Sequence, residues 1–136
     1  MGERMKGKRG LIMGVANDRS IAWGIARAMA DEEAELAFTY QGEACGKRVL
    51  PLAQSLGSDF IVDVDVTDDA SLDRAFGELS SKWDRLDFVV HAIAFSDKDQ
   101  LDGRYIDTSP DNFNKTLYIS CYSFTAVAQR AEKAMA

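Results

Sequence analysis

The sequence has 136 residues, which suits one domain that buries its core without disulfide bonds. Hydrophobic residues make up 46% and charged residues 28%, so disordered and low-complexity classes are excluded. The net charge of -6 argues against a nucleic-acid partner, which usually requires a basic surface.

The composition also argues against export, membrane insertion and metal binding. No apolar run approaches the roughly 18 residues of a membrane span, and no hydrophobic signal core follows the basic N-terminus. The two cysteines, Cys45 and Cys121, lie far apart, and a single histidine leaves too few ligands for zinc. We therefore expect a cytoplasmic protein without a metal site or a membrane partner.

Four short apolar runs recur about every 25 residues and predict buried strands. Each run is too short for a helix and is bounded by polar residues or glycine, as is typical of strands covered on both faces. The runs are Leu11-Ile12-Met13, Leu36-Ala37-Phe38, Phe60-Ile61-Val62 and Phe88-Val89-Val90.

Stretches with helical spacing separate these strands. The first predicted helix covers about 20–32 and ends in an acidic run up to Glu33, without the glycine that commonly follows a helix. Negative side chains are also unfavourable at the carboxyl end of a helix dipole. The second predicted helix covers about 43–56 and contains Pro51, which predicts a late start or a kink.

Two further helices have clear start signals. Thr67-Asp68 predicts a capped start, and an apolar stripe follows at Leu72, Phe76, Leu79 and Trp83. Ser109-Pro110 predicts another start, with serine as the cap and proline in the first position. From there an apolar stripe continues to the end of the sequence without a stop signal, through Phe113, Leu117, Cys121, Phe124, Ala128, Ala131 and Met135.

The alternation of strands and helices predicts βαβ units, and hence a parallel sheet with right-handed crossovers. The fold class is α/β, a Rossmann-type doubly wound sheet holding the first four βα units in the strand order 3-2-1-4. We assign residues 1–136 to a single dinucleotide-binding domain. Because the fourth strand would keep an open edge and the last helix lacks a stop signal, we expect this domain to be truncated at its C-terminus.

The loop after the first strand is a candidate phosphate site, although its glycines are ten residues apart and do not form GxGxxG. Gly14 would permit a tight exit from the strand, and Ser20 could cap the next helix while offering its hydroxyl to a phosphate. Gly24 and Ala26 would let that helix lie close to the sheet. The same residues also suit a purely structural loop, and the sequence leaves both interpretations open.

Polar side chains follow the other strands. Gln41 stands where NAD sites commonly carry an acidic ribose ligand, so charge does not decide between NADH and NADPH. Asp65 could accept a hydrogen bond from the adenine amino group while Val66 packs on the ring, or the pair could form an ordinary turn. His91 could act as a general base, but a lone histidine at a strand end is more often structural.

Four segments together carry a specific resemblance: GVANDRSIAWGIA, FTYQGEACGKRV, DVDVTDDASLD and LDFVVHAIAFSDKDQLDGRYIDTS. With them the chain resembles, from Lys8 to Met135, the NADH-dependent enoyl-acyl-carrier-protein reductases of bacterial fatty-acid synthesis. That family belongs to the divergent short-chain dehydrogenase/reductases. The resemblance implies reduction of the trans-2 double bond of an enoyl thioester bound to acyl carrier protein. It also implies a homotetramer, with the helix after Pro110 at a subunit interface.

The resemblance implies a cofactor site for NADH, with NADPH not excluded. The pyrophosphate contacts would be Gly14, Ser20 and Ile21, the adenosine contacts Gln41, Asp65 and Val66, and the nicotinamide-ribose contact Ile93. The loop beside the acyl substrate would begin at Phe95 and Ser96.

No catalytic residue is expected within the chain, because the family places its tyrosine and a lysine seven positions later beyond the long helix. Tyr40 and Lys47 have this spacing. They are rejected, because Tyr40 closes a predicted strand and Gly42 follows it, so the two side chains cannot share one helix face. Glu33 departs from the family, which generally has glycine at that helix exit.

Two other functions stay open from the sequence. One is a catalytically inactive nucleotide-binding or interaction module, if the polypeptide ends at Ala136. The other is a reductase of the same superfamily that acts on a different carbonyl or alkene.

Overall fold

All four predicted strands form, and they pair in parallel in the order 3-2-1-4. The computed structural model describes residues 2–135. The strands are Arg9–Met13 (β1), Glu35–Tyr40 (β2), Ile61–Asp63 (β3) and Phe88–His91 (β4). β1 lies at the centre, with Leu11 level with Ala37 of β2 and with Val89 of β4. This order confirms the predicted Rossmann-type sheet.

Within the described residues, five α-helices surround the sheet: Ile21–Asp31 (α1), Glu43–Ser55 (α2), Asp69–Lys82 (α3), Pro110–Leu117 (α4) and Ser123–Ala131 (α5). A π-helical turn at Tyr118–Tyr122 joins α4 to α5. Two 3-10 turns, Lys98–Gln100 and Tyr105–Asp107, interrupt the segment between β4 and α4.

The sheet is covered on both faces, as the continuous apolar runs predicted. Ile12 and Phe38 are fully buried in one cluster with residues of α1 and α2. Leu11 and Met13 alternate with Ile12 and pack on the other face, in a cluster with residues of α3 and α5. The carboxyl ends of the four strands therefore meet at one edge between two helical layers.

Helix starts follow the predicted caps where a side chain can reach a backbone amide. Asp68 accepts a hydrogen bond from the Ala70 amide at 3.0 Å, and Ser109 accepts one from the Asn112 amide at 3.1 Å. The predicted helix over about 43–56 forms as α2 from Glu43 to Ser55, and its start is not delayed although Pro51 lies inside it.

Gly42 fixes the start of α2. It lies in the left-handed region at φ 82°, and its amide donates to the Asp63 carboxylate at 3.0 Å. The beginning of α2 is thereby tied to the end of β3.

The helix predicted after Pro110 forms, but it is not regular and does not continue through Met135. The π-helical turn changes the phase of the helix, and α5 ends at Ala131. Met135 instead forms an isolated parallel bridge with Leu86, ahead of β4, and the Ala134 carbonyl accepts from the Leu86 amide at 3.0 Å. Ala136 lies outside the described residues.

The apolar stripe of that predicted helix lies largely on the exposed side. Phe113, Leu117 and Phe124 are 42%, 49% and 58% exposed. The face that packs on the sheet uses smaller side chains instead, namely Ser123, Ala126, Val127 and Ala131. An uncovered apolar surface therefore follows α4 and α5.

Gly24 does not bring α1 close to the sheet. It is exposed, and a Cβ atom at that position would meet no other atom within van der Waals distance. The close approach comes from Ala26, which is fully buried.

The end of α1 explains why a glycine is favoured at position 33. Glu33 adopts φ 69°, a left-handed conformation that a side chain makes unfavourable. Its amide donates to Ala30 O at 2.9 Å, and the Ala34 amide donates to Met29 O at 3.0 Å. These two bonds define a Schellman motif, whose left-handed residue is usually glycine. The end of α2 has the same motif with Gly57 at φ 81°.

The N-terminal segment compensates the acidic end of α1. The Gly2 and Met5 amides donate to the carbonyls of Asp31 and Glu32. The Arg4 guanidinium lies 2.6 Å from the Glu32 carboxylate, and with the Arg4 amide it holds the pKa of Glu32 at about 2. Positive charge and amide donors from residues before β1 therefore take the place of a basic last turn in α1.

We expect Glu33→Gly to raise the free energy of unfolding by about 1 kcal/mol, because glycine removes the left-handed strain. Chemical denaturation measures the change. Gly57→Ala should show an opposite change of about the same size. Glu33→Ala removes the exposed ion pair with Lys6 but keeps the strain, so a gain from alanine equal to that from glycine would contradict this explanation.

We expect Glu32→Gln to weaken the acid dependence of stability. The lowered pKa of Glu32 makes its contribution complete above its usual value of 4.5 and progressively lost as the pH falls toward 2. Unfolding curves across that range should therefore converge for the variant and the parent protein at low pH. Glu43→Gln, in the exposed pair with Lys47, is the control, and an equal effect there would contradict a specific role of Glu32.

Candidate functional site

Two adjoining clefts open at the carboxyl ends of the strands. The first, of about 260 Å³, is lined by Gln41 after β2, Val66 after β3, and both Gly14 and Ile93. The second, of about 480 Å³, shares Gly14 and Ile93 and adds the start of α1 with Ser20 and Ile21. The two clefts meet where the loops after β1 and β4 diverge, which is the position where open α/β sheets bind ligands.

Gly14 sets the width of this junction. It adopts φ 113°, and a Cβ atom at this position would overlap the Ala92 carbonyl oxygen. The small side chains of Ala92 and Ala94 line both clefts beside it. Main-chain atoms and methyl groups therefore form the junction, and only glycine fits at position 14.

The structure gives Ser20 a different role from the predicted helix cap. Its hydroxyl oxygen accepts from the Ala16 amide at 2.9 Å and from the Asn17 amide at 3.1 Å, and makes no side-chain bond into α1. Asn17 in turn accepts from the Arg19 amide at 2.8 Å. Ser20 therefore closes the loop on itself at the start of α1, and its hydroxyl proton remains available to a ligand. Ile21 is largely exposed at the cleft wall.

The adenosine residues implied by the resemblance lie on neighbouring strand ends. Gln41 is exposed and lines the first cleft, and Val66 is buried in its wall. Asp65 is half-buried and is not part of that wall. One of its carboxylate oxygens accepts from the Thr67 amide and hydroxyl, at 2.9 and 2.7 Å. Asp65 therefore forms the strand-end turn that was its alternative interpretation, and its other oxygen remains as an acceptor.

Thr39, Cys45 and Arg48 belong to the site but escaped the sequence interpretation. Thr39 and Cys45 line the first cleft, and Arg48 donates to the Ala16 carbonyl at 3.0 Å. The signal was present in the helical spacing of Cys45 and Arg48, which puts both residues on one face of α2. This spacing alone does not assign the two residues to the site, because the sequence does not show that this face of α2 meets the loop after β1.

His91 joins β4 to the π-helical turn. Its Nε2 lies 2.7 Å from Ser123 Oγ, and the Ser123 hydroxyl donates to Ile119 O at 2.6 Å. Since that donation uses the only hydroxyl proton, Nε2 must carry a proton and donate to Ser123. Burial lowers the pKa of His91, and the ring packs edge-on against Phe124. These contacts favour the structural interpretation of His91 over a general base.

The π-helical turn also positions Phe95. Ser120 accepts from the Phe95 amide at 3.0 Å and donates to the Phe95 carbonyl at 3.2 Å, so one side chain binds both backbone groups. Ser120 lines the second cleft, and the Phe95 side chain is 48% exposed. Lys115 lies above its ring at 5.5 Å. Ser120 of the π-helical turn thereby ties the start of the loop after β4 to this helix.

Ser96 lies in a polar cluster around the buried Asn112. Its hydroxyl accepts from Asn112 Nδ2 at 3.1 Å and from the Thr116 hydroxyl at 3.0 Å. Asn112 Oδ1 accepts from the Asp97 amide at 2.8 Å. The cluster fixes the start of the loop after β4 to α4, and Ser96 reaches the groove between that loop and α4.

Comparison with known proteins identifies the family. A sequence profile described as enoyl-(acyl carrier protein) reductase matches residues 14–136. The chain belongs to this family.

The family includes several close relatives. The chain is 63% identical over 131 residues to enoyl-[acyl-carrier-protein] reductase [NADH] 1 of Rhizobium meliloti, covering 96% of this chain and 48% of that protein. It is 50% identical over 131 residues to the FabI enoyl reductase [NADH] of Rickettsia bellii, again over 96% of this chain and 50% of the relative. The chain therefore spans about half the length of these curated relatives.

Solved structures agree with the observed fold. The crystal structure of FabI from Candidatus Liberibacter asiaticus matches with a TM-score of 0.96 and 54% identity, over 98% of this chain and 52% of that one. The enoyl reductase of Anaplasma phagocytophilum in complex with NAD matches with a TM-score of 0.95 and 55% identity, over 99% and 52%.

The structure gives Tyr40 and Lys47, the rejected pair, separate surroundings. Tyr40 ends β2, and its ring lies where a Cβ atom on Gly46 would be. Lys47 points to Glu43 on the exposed side of α2, at 3.7 Å.

Within residues 2–135, no three metal-ligating side chains cluster, and none of the helices has the length and apolar character needed to cross a bilayer.

We expect Gly14→Ala to destabilise the protein by about 2 kcal/mol and to abolish nucleotide binding, because the added methyl strains φ and strikes Ala92. Gly77→Ala is the control, since Gly77 lies inside α3 with open space around it. The control should gain up to about 1 kcal/mol from helix propensity. Thermal unfolding and nucleotide titration together test this, and unchanged binding in Gly14→Ala would contradict it.

We expect Ser120→Ala to speed amide hydrogen exchange at Phe95 several-fold, since the lost bond contributes about 1 kcal/mol. Ser81→Ala is a matched control, because Ser81 bonds a helix carbonyl on the exposed face of α3. Equal exchange at Phe95 in Ser120→Ala and the parent protein would show that Ser120 does not hold this residue.

Proposed function

We propose that the chain forms the cofactor-binding part of an enoyl-(acyl carrier protein) reductase that reduces the trans-2 double bond of enoyl thioesters with NADH. The observation that carries this proposal is the pair of clefts meeting at Gly14 and Ile93 in a chain of this family. The relatives named above are NADH enzymes, and one solved relative contains NAD. NADPH remains an alternative coenzyme, since Gln41 carries no charge.

The residues of the clefts fit a dinucleotide. The first cleft offers a neutral amide from Gln41 and an apolar wall from Val66, which suit the hydroxyls and the flat face of adenosine. The junction at Gly14 leaves room because no side chain occupies it. The hydroxyl of Ser20 stands at the start of α1, where the helix dipole favours a pyrophosphate.

The second cleft would hold the nicotinamide end, with Ile93 beside its ribose. When bound, the reduced coenzyme supplies the hydride for the double bond. The contribution of this chain is orientation and exclusion of water: Ile21, Ile93 and Ala94 give an apolar wall, and Phe95 begins the loop that would border the acyl chain. Ser96 would hold the start of that loop through Asn112.

No residue of this chain is assigned a catalytic role. We propose that the proton-handling tyrosine and lysine of the family belong to the half of the relatives that this chain does not match. We also propose that acyl carrier protein presents the substrate, that the protein is cytoplasmic, and that it forms a homo-oligomer. The exposed apolar side chains along α4 and α5 support a subunit contact there, since surfaces of this kind mark interfaces.

The test is coenzyme binding by this chain and turnover by the whole protein that joins it to the proposed catalytic half. We expect saturable binding of NADH and oxidation of NADH that depends on a trans-2-enoyl thioester. Gln41→Glu is a useful variant, since a new negative charge should weaken NADPH more than NADH. Binding without turnover on any enoyl or ketone substrate would favour a nucleotide-binding module. Absence of binding would overturn the proposal.

A further inference from the structure

The first two turns of α2 hold the loop that follows β1. Cys45 Sγ lies 3.8 Å from the Val15 carbonyl oxygen, and Arg48 Nε donates to the Ala16 carbonyl at 3.0 Å. The two side chains are three residues apart and so lie on one face of α2. Two consecutive carbonyls of the loop are thus bound from the same helix.

These contacts add to the hydrogen bonds that the loop makes with Ser20. The Ala16 amide donates to Ser20, while its carbonyl accepts from Arg48. Val15 and Ala16 both line the first cleft. A carbonyl oxygen directed into a phosphate site would repel the anion, so donors on α2 that engage these oxygens keep them out of the ligand's way.

Arg48 adds a positive charge at the same place. Its Nε is bound to the loop, and within residues 2–135 its two terminal nitrogens make no hydrogen bond or ion pair. The neighbouring Lys47 carries the same charge but pairs with Glu43 and does not contact the loop. The two cations therefore differ in placement and not in charge.

We propose that Arg48 is a positioning residue for the coenzyme. It fixes the Ala16 carbonyl of the phosphate loop, while Cys45 lies against the Val15 carbonyl, and it thereby sets the affinity for the adenosine diphosphate part of the dinucleotide. This inference rests on the proposed function, because it assigns Arg48 to the same coenzyme site.

The test compares Arg48→Met with Lys47→Met in the whole protein that joins this chain to the proposed catalytic half. Arg48→Met should raise the KM for NADH and the inhibition constant of ADP about tenfold, as expected for loss of a charged donor. The kcat and the KM for the enoyl substrate should stay unchanged, because the nicotinamide end is not altered. Arg48→Lys should recover part of the affinity, and Lys47→Met should leave both constants as they are.

Three outcomes would overturn the proposal. They are unchanged constants for NADH and ADP in Arg48→Met, equal effects in Lys47→Met, and a rise in the KM for the enoyl substrate that matches the rise for NADH. A loss of melting temperature in Arg48→Met without any recovery in Arg48→Lys would also count against it, since it would indicate a general structural role.

Amide hydrogen exchange separates this proposal from the proposed function. Arg48→Met should speed exchange at Ala16 and Asn17 in the absence of any nucleotide, and Lys47→Met should not. If the parent protein binds no NADH, the proposed function fails, while the exchange result still decides whether Arg48 holds the loop. Unchanged exchange in Arg48→Met would refute the role of Arg48 directly.

Discussion

The close approach of β4 to β1 is the constraint on which the rest of the site depends. Two glycines of the β1 segment make it possible. A Cβ atom on Gly10 would overlap the ring of Phe88, and one on Gly14 would overlap the Ala92 carbonyl. With both positions bare, the two strands pair over their length and separate only after Met13 and His91. The clefts open where this pairing ends.

The helix that follows β4 presents one face to the end of that strand. Asn112 in α4, Ser120 in the π-helical turn and Ser123 in α5 all bind residues of β4 or of the loop after it. The larger apolar side chains of the same helix lie on its other, exposed side. The surface that we propose as a subunit contact is therefore the reverse side of the helix that holds the loop after β4.

The sequence predicted the strands, their order and most helix starts, because these depend on short-range signals. Short apolar runs mark the strands, and their regular spacing marks the βα units. Asp68 and Ser109 mark helix starts by capping amides a few residues away. It also placed Gly14, Gln41, Val66 and Ile93 at the strand ends, where the structure brings them to one cleft. The sequence also showed Glu33 at a helix exit where glycine is usual. The φ of 69° at Glu33 explains why glycine is favoured there.

The misses share a different cause, since each depends on contacts between distant segments. The late start that Pro51 suggested for α2 does not occur, since Asp63 accepts from the Gly42 amide across 21 residues. Ser20 binds backward to Ala16 and Asn17 instead of capping α1, and Arg48 reaches the same loop across 32 residues. No periodicity encodes such bonds, because they exist only after the sheet has formed.

The composition of the junction explains why the pattern alone left two interpretations of the phosphate loop open. Gly14, Ala92 and Ala94 contribute main-chain atoms and methyl groups, and the loop is shaped by bonds to its own carbonyls and amides. Side chains that carry recognisable chemistry are few there, so a structural loop and a binding loop can have the same residue types. What separates them is the direction of the backbone groups. Arg48 and Ser20 bind the backbone groups and so control that direction. Neither residue belongs to the glycine motif by which dinucleotide sites are usually recognised.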